Sequence, residues 1–155
     1  MFRPMRRCKQ QLSREECDRV LYEGKRGVLA LMGDCDYPYA VPLNYLYDGE
    51  RIIFHSALEG HKVDAIRRSD KASFCVIDRG ETPDDDWAYW FNSVIVFGRL
   101  RRLDGEEKER ALRQLGMKYF PTEADVDADM KKNAARCLCL EMTIDHLSGK
   151  RVHEK

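Results

Sequence analysis

No run in this 155-residue chain reaches the roughly 18–20 consecutive apolar residues of a membrane span. The start, Met1-Phe2-Arg3-Pro4-Met5-Arg6-Arg7, is not followed by the apolar core of a secretory signal. A cytoplasmic location is the resulting expectation. Net charge is lacking too, since 27 Lys and Arg residues balance 27 Asp and Glu. Without a long-range positive field neither nucleic acid nor an anionic membrane is an expected partner. The six cysteines contain no C-x-x-C pair, and Cys137 and Cys139, the one close pair, have no histidine at ligand spacing. Free buried thiols are therefore expected, and a bound metal is not. There is no G-x-G-x-x-G for a Rossmann dinucleotide site and no G-x-S-x-G elbow for a serine hydrolase. What remains is a neutral chain long enough for one ordinary core, with a small or apolar molecule as its expected partner.

Residues 1–11 are basic and unpatterned and read as an N-terminal arm, with a single domain over residues 12–155. Ser13 with Glu16 forms a capping box, and Cys17, Val20 and Leu21 recur on one helical face that should end near Gly24. Strand patterns follow over 27–32, 39–47, 51–56 and 71–78, with Asp48-Gly49 as a tight turn that makes the second and third antiparallel neighbours. Val63 and Ile66 suit a short helix between the third and fourth strands. An acidic loop over 81–86 precedes a long strand over 89–103. Two helices capped by Asp104 with Glu107 and by Thr122 with Asp125 come next, then a last strand over about 137–145. The pattern predicts a mainly β, α+β fold: an antiparallel barrel of about six strands with peripheral helices.

Both faces of Tyr39–Tyr47 are uncharged, and Pro42 cannot donate to a ladder, so this strand lies at an edge or is bulged there. A second subunit covering the edge and a flat ligand bonded to its free backbone are both compatible with this. The third strand runs into Phe54-His55-Ser56-Ala57, followed by Gly60-His61-Lys62 at a helix start. A Ser hydroxyl, a Lys ammonium and unpaired helix N–H groups form a site suited to a phosphate. His55 and His61 are candidate acids, bases or anion donors near neutral pH. His146 and His153 read as surface residues, and Arg99, Arg101 and Arg102 as a solvated strand end. Trp87, Tyr89, Trp90 and Phe91 are more aromatics than one strand face can bury and suit a pocket floor or a subunit contact.

Over roughly residues 12–147 the chain resembles the FMN-binding split β-barrels of the pyridoxamine-phosphate-oxidase-like superfamily, and within it the nitroimidazole-resistance (Nim-type) group. The resemblance rests on Gly27-Val28-Leu29-Ala30, on Tyr37–Tyr45, on Phe54–Ala57 with Gly60-His61-Lys62, and on Ser93–Gly98. It implies a homodimer with FMN at the subunit interface. Val41, Pro42 and Asn44 would approach the flavin ring, and His55, Ser56, Ala57, His61 and Lys62 would lie at or near its phosphate end. Ser93 and Val94 would reach it from the long strand. His55 is the candidate reactive residue in an oxidoreductase passing electrons from a reductant to a small acceptor such as a nitroimidazole. No match exists for the substrate-phosphate arginines of true pyridoxamine-phosphate oxidases. The alternative reading is a split barrel that binds haem or another planar ligand without flavin redox chemistry, with His55 or His61 on the iron.

Overall fold

The Ser13 capping box forms as the sequence requires: Ser13 Oγ accepts from the Glu16 N–H, and Glu16 Oε2 accepts from the Ser13 N–H. It opens helix α1 (Arg14–Glu23), which buries Cys17, Val20 and Leu21 and stops at Gly24. The structure, a computed structural model, describes residues 1–85 and 87–154. Asp86, the end of the acidic loop, lies outside the described residues.

After α1 come β1 (Arg26–Met32), β2 (Pro38–Asn44), β3 (Leu46–Tyr47), β4 (Arg51–Ala57), α2 (His61–Arg68), β5 (Lys71–Ile77) and β6 (Tyr89–Leu103). Helices α3 (Gly105–Tyr119) and α4 (Glu123–Asn133) lead to β7 (Cys137–Glu154). The seven strands form one sheet in the order β2-β1-β5-β6-β7-β4-β3, every described pairing antiparallel. Its two edge strands, β2 and β3, are consecutive in sequence with only Tyr45 between them. The sheet must curl until its edges nearly meet, which makes it a split barrel.

Tyr45 explains why there are seven strands and not about six. Its backbone N–H bonds to the Tyr119 hydroxyl (3.0 Å), and that hydroxyl sits 2.7 Å from the Tyr45 carbonyl and 2.6 Å from that of Lys25. A residue satisfied from α3 needs no ladder partner, so the chain crosses from one edge to the other here. The Asp48-Gly49 hairpin forms, but only Leu46 and Tyr47 pair across it. The remainder of the expected second strand pairs with β1. Tyr119→Phe should cost about 1–3 kcal/mol, because it leaves both backbone groups of Tyr45 part-buried and unpaired. A urea melt beside wild type measures this, and an unchanged midpoint would refute the account.

Inside the barrel, Leu29, Tyr47, Phe54, Phe74, Val76, Val94 and Val96 form the main core, with α1 and α2 contributing Leu21, Val63 and Ala65. Outside it, α3 packs Ala111 and Leu112 on Ile53, Leu103 and Cys139. Among the described residues no helix is long and apolar enough to cross a membrane.

β7 continues to Glu154, past the Asp145 expected from alternation. The register shifts at Phe97/Gly98, where a Cβ on residue 98 would collide with the Thr143 carbonyl, so glycine is required. The extension corrects the reading of two histidines. His146 stacks on Phe2 (4.6 Å between ring centroids) and His153 on Trp90 (3.9 Å), and both are half-buried within the strand. Arg99, Arg101 and Arg102 are ion-paired, to Asp70, to Glu107 with Glu141, and to Asp104. Asp104 thus bonds Arg102 and makes no side-chain cap for α3, whereas Thr122 does cap α4. All six cysteines are free thiols, with Cys8 and Cys35 exposed where burial was expected.

Candidate functional site

Alternation along β4 puts Ile53, His55 and Ala57 on the outer face and Ile52 and Phe54 in the barrel. α3 covers Ile53, but beyond it the two outer helices stand away from the sheet. This leaves a cleft of about 510 Å3 between β4 and the α3–α4 pair. Asn44, His55, Ser56 and Ala57 form its strand side, and Leu112, Leu115, Phe120 and Met130 an apolar helix side. Tyr119, Asp129, Asn133 and Arg136 add polar groups to the helix side.

His55 is solvent-accessible at the mouth of the cleft, yet its imidazole is hemmed in by the walls. Burial holds its pKa below the ordinary histidine value, the nearby Lys62 ammonium lowers it further, and Asp129 pulls the other way. The neutral ring therefore predominates at pH 7. Lys62 is half-buried in the first turn of α2, and burial lowers its pKa as well. Gly60, the residue before α2, has φ +119°, a conformation that favours glycine. A Cβ there would meet nothing within 4 Å, so glycine serves the backbone turn and the space beside it is open.

The structure brings Asn44, His55, Ser56 and Ala57 into one cleft, with Lys62 close enough to His55 to act on its charge. His61 is committed elsewhere: its ring stacks on Tyr39 (4.1 Å), and Nε2 lies 3.4 Å from Asp34 Oδ2. Val41 packs against the barrel core, and Val94 is fully buried within it. Pro42 and Ser93 are on the outer surface of the sheet, Pro42 sharing the face of β2 that carries Asn44.

From Pro42 an uncharged surface runs across four strands. Pro42, Val28, Cys75 and Ile95 form one cross-strand row, and Ala40, Ala30, Ser73 and Phe97 the next. Val28, Ile95 and Phe97 are exposed there, as is Ile77 at 60%. The uncharged even positions of the second strand thus belong to a broad apolar face.

Asp129 and Asn133 were not legible as site residues. The signal that could have found them is helical: Val126, Asp129, Met130 and Asn133 stand at i, i+3, i+4 and i+7, the inward stripe of α4, and two of the four are polar.

A curled antiparallel sheet with adjoining edges, and a helix-walled cleft beside the seam, define a split β-barrel. Residues 13–151 match the family model described as pyridoxamine 5'-phosphate oxidase, and the chain belongs to that family. An uncharacterised protein of Rhizobium meliloti is 35% identical over 92 residues, covering 59% of this chain and 56% of that protein. The match thus spans little more than half of that relative.

Among solved structures, the fold is similar to a proposed 5-nitroimidazole antibiotic resistance protein of Bacteroides thetaiotaomicron. The TM-score is 0.78 at 16% identity, over 93% of this chain and 87% of that one. The FAD and heme binding protein of Mycobacterium smegmatis gives 0.77 at 23% identity, over 91% and 72%. A FAD-binding protein of Mesorhizobium loti gives 0.66 at 24% identity, over 92% and 97%. At these identities the likeness is one of fold.

Proposed function

We propose that this chain is a homodimeric flavoprotein that binds FMN beside the seam of its barrel and passes electrons from a reductant to a small acceptor such as a nitroaromatic. The cleft carries this reading, because its donor set fits the group. Asn44 and a neutral His55 offer hydrogen bonds to a polar ring edge, and Leu112, Leu115, Phe120 and Met130 offer an apolar wall. Lys62, with the N-terminal turn of α2, supplies positive charge for a phosphate. A bound flavin supplies redox chemistry that these side chains lack.

His55, neutral at rest, orients the acceptor by a hydrogen bond and takes up a proton when negative charge approaches. The helix side keeps water from the reacting atoms. A second copy is assigned to the exposed face of β2, β1, β5 and β6, whose two uncharged central rows begin at Pro42 and Ala40 and are bordered by Arg26 opposite Asn44 and by Lys71 and Arg99 at the other end. On that footing Pro42 and Ser93 lie at the subunit contact, and Val94 reaches a ligand only through its backbone. The membership of the family and the flavin-binding descriptions of the Mycobacterium and Mesorhizobium proteins support a flavin as the bound group.

The visible spectrum of the purified protein is expected to show flavin bands, retained or restored on incubation with FMN. NADH or NADPH under anaerobic conditions should bleach them, and a nitroaromatic should bring them back. A protein that is colourless and stays so with FMN overturns the reading. A haem reading draws on one observation, that a neutral, accessible imidazole at His55 is a competent iron ligand. A Soret band on haem titration that vanishes in His55→Ala would favour it. His61, stacked on Tyr39 and turned to Asp34, is not the histidine to test first.

A further inference from the structure

α4 is an unusual wall for a cleft. Of its residues only Val126 is buried, and its other acids, Glu123, Asp125 and Asp127, are exposed. Asp129 alone among them is half-buried, on the stripe that faces inward. A helix placed there only for packing would carry an apolar residue at this position, since a carboxylate loses hydration and gains nothing from Met130 or Leu115. Asp129 is also held: Asn133 Nδ2, one turn on, donates to its Oδ1 at 2.7 Å. Both side chains line the cleft with His55, which comes from the opposite wall.

We propose that Asp129, fixed by Asn133, is a positioning residue for His55, supplied across the cleft by α4. This rests on the reading of the cleft as the ligand site and adds a function for its helix wall. The charged groups that bear on the imidazole are Lys62 from α2 and Asp129 from α4, while Arg136 and Cys137, from the segment entering β7, line the same cleft. Lys62 and the walls disfavour the protonated ring, while Asp129 favours it. The carboxylate thus offsets part of what the walls and Lys62 impose on the protonated ring, and so eases proton uptake at His55 from across the cleft. Asn133 offers the amide that keeps Asp129 from turning to solvent. Asn133 also stands one helical turn beyond Asp129, the spacing at which a carboxylate and an amide meet.

The test uses the full chain without added flavin. Imidazole resonances are followed by NMR against pH, with His55 assigned by its loss in His55→Gln. Asp129→Asn is expected to shift the His55 titration to lower pH and Asp129→Glu to restore most of it. Asn133→Ala should give a smaller shift in the same direction. Asp127→Asn, an exposed acid on the same helix that pairs with Arg113, should leave His55 unmoved.

An unchanged His55 titration in folded Asp129→Asn overturns the proposal, as does an equal shift in Asp127→Asn. If Asp129→Asn does not fold, Asp129→Glu and Asn133→Ala decide: a wild-type titration in Asn133→Ala together with a displaced one in Asp129→Glu counts against it. Flavin titration of the same variants is read separately. A shifted histidine in a protein that binds no flavin would retain the couple and remove the flavin reading, and the reverse result would do the opposite.

Discussion

Replacing Glu141 with alanine is expected to lower the unfolding free energy by about 3 kcal/mol. Glu141 lies on β7 between β4 and β6, with its side chain only 6% exposed. It accepts from Arg51 Nη1 of β4, and from Arg101 Nε (2.9 Å) and Nη2 (3.2 Å) of β6. Arg51 also reaches Asp48, and Arg101 reaches Glu107 at the start of α3. One buried carboxylate therefore ties three strands to the helix that walls the cleft. Without it two guanidiniums face each other, which costs more than the loss of the bonds themselves. The cost falls at the lower end of the range for broken buried pairs, because both arginines keep a second acid and Arg101 is half exposed. Glu141→Gln, which preserves shape and one strong acceptor, should cost about half as much. Urea unfolding with an unchanged slope checks both. A loss below about 1 kcal/mol would mean that the arginines relax to their other partners.

Lys62→Glu is expected to weaken FMN binding by about two orders of magnitude, corresponding to roughly 3 kcal/mol. The half-buried ammonium stands at the first turn of α2, where the helix dipole and a cation would act together on a bound phosphate. Reversing the charge removes one attraction and sets a carboxylate against the phosphate. Lys62→Met keeps the stem and should show a smaller loss. Quenching of flavin fluorescence measures both, with circular dichroism to confirm that each variant is folded. Equal affinity in Lys62→Glu and wild type would move the phosphate away from α2.

Whether a feature was legible depended on the distance between the groups that make it. His55, Asn44, Ser56 and Ala57 were readable because they occupy short strands with clear ends, and they do meet in one cleft. His61 and Lys62 are adjacent in sequence, and both were expected at or near the phosphate end. The fold separates them, turning His61 onto Tyr39 and Asp34 and leaving Lys62 beside His55. Ser93 and Val94 are likewise adjacent, yet the pleat sends Val94 into the core and Ser93 to the outer face. Asp129 could not be chosen among the acids of α4, because its distinction lies in what it faces.

Local chemistry determined the parts that the sequence carried by itself. The Ser13–Glu16 and Thr122–Asp125 caps, the Asp48-Gly49 turn, the alternation of β4, β5 and β6, and the neutral, uncharged second strand all involve residues within a few positions of one another. Tertiary structure decided the rest. Tyr45 leaves the ladder only because Tyr119 reaches it from α3, β7 runs on past Asp145 only because β6 offers it a partner, and α4 turns Asp129 into the cleft that holds His55 only because α3 holds it there. Each of these is a contact between distant residues, and periodicity along a chain does not specify which distant partner a hydrogen bond or a register will find.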